Sequence, residues 1–322
     1  MFVIRIENNQ ASKLETDGAF SLVNTDPLTW VHLEGDVVDA KTWLTSHANP
    51  DEETVNLLCD ELTRPRVIVN GSDDVITTIR VPYIDDEQSV KFASLRVWIT
   101  AHYLVTISYL ALPIVHQIKD QLLRKAYSLS SPYLLCATIF EKANDQITHH
   151  TVTLDEGLSE IEDRWDAQHT PDLDALYSLR LYISQLNRYL LSQMEAFLRL
   201  GSIIPDRVKT AKEKKHHASN WREMANTLKR DMEAITEMRE RIVILLDAIQ
   251  QNTNEKMNDI MYRLSIIAAF FLPLTFFASL LGMNVEGIPF QKHTLAFWLV
   301  CIGMMIVLLF QWLLFKRWRL FK

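Results

Sequence analysis

Two stretches near the C-terminus have no polar face. Leu264–Leu281 (LSIIAAFFLPLTFFASLL) and Thr294–Phe315 (TLAFWLVCIGMMIVLLFQWLLF) contain no charged residue and are apolar on nearly every side. At about 1.5 Å per residue they span roughly 27–33 Å, the thickness of a bilayer's hydrocarbon core. The pattern predicts two transmembrane helices. Pro273 falls inside the first, where a bundle can meet the freed carbonyl with Ser, Thr or water. Upstream, Trp221, Met224, Leu228, Met232, Ile235, Met238, Ile242, Leu245, Ile249 and Thr253 recur at steps of three and four, with no Gly or Pro before Pro273. One continuous helix is expected from about Ser219 to Leu281, roughly 95 Å long. A stripe on so long a helix asks for partner helices.

The N-terminal part, residues 1 to about 112, alternates strand and short-helix signals instead. FVIRI (2–6), AFSLV (19–23), WVHLEG (30–35), RVIVNG (66–71), DVITTIRVPY (74–83), SLRVWIT (94–100) and YLVTIS (103–108) read as strands, with a turn at Asn70-Gly71-Ser72. Two short helical stretches lie between Asp39 and Leu62. From Pro113 the chain reads as helical. Pro132–Gln168 and Asp172–Leu200 are expected helices, parted by His169-Thr170-Pro171-Asp172 and closed by Gly201 and Pro205. The fold class is an α+β domain followed by a long stalk helix and a C-terminal helical hairpin.

Charge sets the topology. Lys316, Arg317, Arg319 and Lys322 follow the second span, Lys256 and Arg263 precede the first, and the turn between the spans holds only Lys292 and His293 against Glu286. Positive residues favour the cytoplasmic side, so both termini are expected inside. MFVIRIENN lacks the basic start and apolar stretch of a signal peptide. Trp298, Trp312 and Trp318 suit interfacial anchoring. The net charge is −7 although the tail is basic, so the large N-terminal body is acidic; this argues against nucleic acid and suits cations. Cys59, Cys136 and Cys301 are scattered and build neither a Cys-x-x-Cys zinc site nor a disulfide framework.

On the first span, Met261, Leu264 or Ser265, Ala268, Leu272, Thr275, Ser279 and Gly282 share one face, while Phe270, Phe271, Phe276 and Phe277 occupy the other. Two spans cannot enclose a pathway alone. An oligomer with the small-residue face on its axis makes a narrow pore with rings of Thr and Asn; packing of that face against the second span is the competing reading. His149-His150 and His216-His217 read either as metal ligands or as solvated helix residues. The acidic run Asp155, Glu156, Glu160, Glu162, Asp163 and Asp166 reads as a solvated face or a cation attractor. No Gly-rich phosphate loop, nucleophile motif or acid/base pair appears in residues 1–150, which leaves a membrane-anchored enzyme weakly supported beside a transporter or a metal sensor.

Pro273-Leu274-Thr275-Phe276 followed by Gly282-Met283-Asn284 resembles the motif of the CorA superfamily of divalent-cation channels and transporters. The resemblance covers the whole chain in order. Gly287-Ile288-Pro289 and Glu61-Leu62-Thr63-Arg64-Pro65-Arg66 are similar to stretches of its zinc-transport branch, ZntB, whereas Glu286 is similar to the acidic CorA loop. The resemblance implies a funnel-shaped homopentamer in the cell inner membrane. The implied organisation is a 1–131 domain, 132–205 paired helices, 206–263 stalk, 264–282 pore-lining span, 283–293 external loop, 294–315 second span and 316–322 basic tail. Asn284 would ring the external entrance, Thr275 would form a second polar ring, and Leu272, Ala268, Leu264 and Met261 a constriction. The basic tail would collar the inner mouth. No cofactor is implied beyond a divalent cation, Zn²⁺ first and Mg²⁺ or Co²⁺ as the alternative, held at Asn284 through its hydrating waters.

Overall fold

The computed structural model describes residues 1–7, 10–14, 22, 28–60, 64–70, 74–85, 90–124, 129, 131–167, 169, 172–208, 211–283 and 295–317. They form two units, Met1–Ile244 and Leu245–Lys322.

The first unit is built on a mixed sheet. Its strands are β1 (Phe2–Glu7), β2 (Gln10–Leu14), β3 (Leu28–Glu34), β4 (Arg66–Val69), β5 (Val75–Ile84), β6 (Val90–Ile99) and β7 (Tyr103–Ser108), in the order β2-β1-β3-β7-β6-β5-β4. Every pairing is antiparallel except β3 with β7. Period-two alternation sorts the faces. Val31, Leu33, Val105 and Ile107 point to a core shared with Trp43 and Leu44 of α1 (Val37–His47) and Val55 and Leu58 of α2 (Glu52–Cys59). Phe2, Trp30 and His32 point the other way, toward α3 (Pro113–Leu123), whose His116 ring lies 6.1 Å from Phe2 and 6.2 Å from His32. Buried Arg96 of β6 ends α2: its Nε and Nη2 donate to the Asp60 carbonyl at 3.1 and 2.5 Å, and its guanidinium stacks 4.2 Å from Tyr109.

Three helices complete this unit: α4 (Pro132–Asp166), α5 (Leu173–Arg207) and the first part of α6 (Ala211–Gly282). Ser131 and Asp172 cap α4 and α5 by accepting from the N–H three residues on. Phe140, Phe197 and Trp221 meet with ring centroids 5.6–5.8 Å apart and lock the three helices together. Trp221, Met224, Leu228, Ile235, Met238 and Ile242 are buried, as the stripe requires.

Four sequence expectations need correction. Helix α5 does not stop at Leu200. Gly201 continues it because α6 crosses there; a Cβ would lie 3.0 Å from that of Trp221. Pro205 falls in the last turn, where little of the hydrogen-bond ladder remains to lose. Helix α6 begins at Ala211, not Ser219: good helix formers carry it where no apolar stripe does. Strand β2 was not anticipated, because QASKL is a polar edge strand with no buried residue. Of the strand expected over 19–23 only Leu22 is described; it is buried, and its N–H donates to the His47 carbonyl at 2.8 Å rather than to a ladder. Gly71-Ser72 of the expected turn and Glu61-Leu62-Thr63 lie outside the described residues.

Candidate ion pathway

In the second unit, α6 and α7 (Ala296–Arg317) are each long and apolar enough to cross a membrane. Pro273 removes one N–H from α6 and leaves the Ala269 carbonyl without its helical partner. Gln311, the single amide of α7, supplies the missing donor: its Nε2 lies 3.1 Å from the Ala269 oxygen. Phe270 and Phe315 add an aromatic contact, with centroids 5.1 Å apart. The half-covered residues of α6 (Ile266, Ala269, Phe270, Pro273 and Leu274) mark the face that meets α7.

The anticipated pore face lies elsewhere. At 100° per residue, Met261, Leu264, Ala268, Leu272, Thr275, Ser279 and Gly282 centre about 170° around the helix from the α7 contact. All seven are exposed in the chain, Leu272 at 71% and Leu264 at 64%. The Ser265 and Thr275 hydroxyls donate to the Met261 and Phe271 carbonyls, each at 2.8 Å. Their protons are satisfied within the helix, and their oxygens keep lone pairs for water. Of the phenylalanines expected on the opposite face, Phe270 is held by α7 and Phe271, Phe276 and Phe277 are exposed; seven residues from Leu264, Phe271 in fact falls beside the small-residue face. Met283 is described as exposed. Asn284, Glu286, Gly287, Ile288, Pro289, Arg319 and Lys322 lie outside the described residues, as do Lys292, His293 and Trp318. Of the basic tail, Lys316 and Arg317 form the last turn of α7, with the Lys316 ammonium 5.0 Å from the Trp312 ring centre.

The first unit assigns structural work to much of the acidic run. Arg241 of α6 donates to Asp155 at 2.6 Å, to Ser159 at 3.0 Å, and through two nitrogens to Glu162. Glu160 accepts from Arg164 at 2.6 Å. The adjacent histidines do not converge: His149 and His150 stand 6.0 Å apart, His216 and His217 6.2 Å, and His150 leans on Tyr182. Among the described residues no three His, Cys, Asp or Glu side chains form a group that could hold an ion.

One acidic residue stands inside the α4–α6 seam. Asp231 is 6% exposed and accepts from the Thr148 hydroxyl at 2.8 Å. Burial raises its pKa, against the opposing pull of that hydrogen bond and of Arg230. A carboxyl whose folded pKa exceeds its unfolded value contributes most below the unfolded pKa and loses that contribution as pH rises through the folded one. At neutral pH the buried charge is therefore a cost. Asp231→Asn keeps an oxygen for Thr148, so its thermal midpoint in detergent at neutral pH is expected to rise by a few degrees, for about 1 kcal/mol. The gain should vanish in acid; a lower midpoint at neutral pH would contradict this account.

Comparison with known proteins places this geometry. A family profile described as CorA-like Mg2+ transporter protein matches residues 26–317. The divalent cation transporter CmaX of Pseudomonas aeruginosa is 32% identical, over 90% of this chain and 86% of its own length. The zinc transport protein ZntB of Pectobacterium carotovorum is 25% identical, over 94% and 91%. A full-length CmaX structure superposes with a TM-score of 0.81 at 27% identity, covering 99% of this chain and 97% of that one. The CorA magnesium transporter of Methanocaldococcus jannaschii shares the fold, with a TM-score of 0.78 at 18% identity over 98% and 97%.

Proposed function

This chain belongs to the CorA-like Mg2+ transporter family, a family of divalent-cation transporters and not of enzymes, and from that premise we propose that it takes up Zn²⁺ through a homopentameric pore lined by α6. The observation that carries the reading is the exposed small-residue face of α6. Helix α7 covers the Ala269–Phe270 side and leaves Leu264, Ala268, Leu272, Thr275 and Ser279 exposed among the described residues. Copies arranged about an axis give that face its partners. The first unit and both termini then lie in the cytoplasm of a bacterial inner membrane, with Lys316, Arg317, Arg319 and Lys322 collaring the inner mouth.

Passage of a hydrated ion fits the lining. Mg²⁺ and Zn²⁺ hold water strongly, and stripping it inside an apolar tube is prohibitive. Bare zinc takes Cys, His or carboxylate ligands, and this face offers none. Amides of Asn284 and hydroxyls of Thr275 hydrogen-bond to hydrating waters without replacing them. Five neutral amides make a site that an ion can also leave. Gly287-Ile288-Pro289 and the similarity to a zinc transport protein favour Zn²⁺; Glu286 and the similarity to a magnesium transporter keep Mg²⁺ and Co²⁺ as the second reading. Proteoliposomes loaded with ion-selective dyes separate the two. Zn²⁺ influx is expected to exceed Mg²⁺ influx several-fold at equal concentration. Mg²⁺ influx without Zn²⁺ influx would move the assignment to the second reading, and no influx of either would remove the pore.

A further inference from the structure

The hydrogen-bond ladder of α6 is interrupted inside its span, at the level of the anticipated constriction. Pro273 has no N–H to give the Ala269 carbonyl, and its ring crowds that carbonyl out of line. Leu272 and Ala268 immediately precede Pro273 and Ala269. Each constriction layer therefore lies within about 1.5 Å of the break along the helix axis. Both side chains are exposed in the chain. Whatever holds the freed carbonyl bears on where those two layers stand.

The hydroxyls on either side of the break are already committed. Ser265 donates to the Met261 carbonyl and Thr275 to that of Phe271, each one turn back on the same helix. The donor that reaches Ala269 comes from α7: Gln311 Nε2 lies 3.1 Å from its oxygen. The amide can face only this way, because exchanging its ends would set two carbonyl oxygens against each other. So placed, Gln311 keeps a buried Oε1 that meets no donor among the described residues. An amide in an apolar layer is a cost that packing alone does not explain, since methionine fills a similar volume without it. What the amide adds is the donor that Pro273 removed. Gln311 shares one face of α7 with Phe315, which meets Phe270, and the following turn carries Lys316 over the Trp312 ring.

We propose that Gln311 is a positioning residue for ion passage. Standing in for the N–H lost at Pro273, it fixes α6 at its break and so holds Ala268 and Leu272 at the distance from the axis that conducts. This role rests on the pore reading above. Gln311 meets α6 on the side away from the ion path and acts through the Ala269 carbonyl. Ala269 lies six residues past Arg263, and Gln311 six before Arg317, about 9 Å along each helix. Both therefore stand in the inner half of the membrane, near the headgroup level where Trp312 and Lys316 anchor α7. The amide thus ties the narrowest layers of the pore helix to the membrane surface.

A double-substitution cycle in proteoliposomes tests this, because Pro273→Ala returns the N–H to α6 and makes the amide redundant. Gln311→Met keeps the volume and removes the donor. It is expected to lower the maximal influx of the conducted ion roughly threefold, the weight of one interhelical hydrogen bond in a bilayer. The half-saturating concentration should not change, because Asn284 at the entrance is untouched. In the Pro273→Ala background the same substitution should have no effect. Phe315→Leu loosens the same interface without touching the amide, so its effect should be equal in both backgrounds. The spacing is read without transport by oxidative crosslinking of Leu272→Cys between subunits in a Cys301→Ser protein. Gln311→Met should change that yield only where Pro273 is present. Wild-type influx in Gln311→Met, or an equal loss with and without Pro273, would overturn the proposal and leave the pore standing. No influx of Zn²⁺ or Mg²⁺ through the wild type would remove the pore and this role together, so the two failures are distinct.

Discussion

Asn284→Ala is expected to lower Zn²⁺ influx into proteoliposomes at least tenfold while leaving the oligomer intact. In the proposed pore the residue appears five times at the outer entrance. Each amide offers one acceptor and two donors to the waters around an arriving ion. Alanine removes them all from every subunit at once. A tenfold slower passage is a barrier change of about 1.4 kcal/mol. Loss of two hydrogen bonds at roughly 1 kcal/mol each already exceeds that. The effect therefore does not require every subunit's contact to matter. Asn284→Gln keeps the amide but moves it by one methylene, and it should fall between alanine and the wild type. Wild-type influx through the alanine variant would remove Asn284 from the pathway.

Much of the architecture was legible because periodicity reports burial. The β-rich runs WVHLE and SLRVWIT placed β3 and β6, which are buried along most of their length, and the steps from Trp221 to Ile242 placed the packed face of α6. Features set by a partner distant in sequence were not legible. Gly201 and Pro205 carry local stop signals, and only the crossing of Trp221 explains why α5 runs through them. QASKL has no apolar alternation, since an edge strand needs only its neighbour's backbone. In the hairpin, Pro273 and Gln311 were each visible as the odd residue of an apolar run. Their relation through the Ala269 carbonyl depends on a register between helices that no local pattern encodes.

The candidate site was legible in part. The sequence separates the small face of α6 from its phenylalanine face. It does not say which of them α7 covers, and the Gln311–Ala269 and Phe270–Phe315 contacts supply that. With α7 occupied on the aromatic side, packing of Ala268, Thr275 and Ser279 against the second span loses its geometric basis. What remains for that face is a neighbouring copy, water on an axis, or lipid.

Substitution at Ala268 distinguishes these three surroundings. On a narrow axis, Ala268→Phe places five phenyl rings in one layer and closes the constriction to a hydrated ion. Zn²⁺ influx should fall more than tenfold while crosslinking still yields pentamers. Leu309→Phe, on the exposed side of α7, adds similar bulk where the reading places lipid, and it should conduct normally. Loss of the pentamer in Ala268→Phe would mean that this face packs against a neighbouring helix and not around water. Normal conduction in Ala268→Phe would put the face toward lipid. Ala268→Gly sharpens the first outcome: it widens the same layer, so conduction should persist or rise if the axis passes there. The effect of side-chain volume then runs in opposite directions at one position of α6, which a loss of stability alone does not produce.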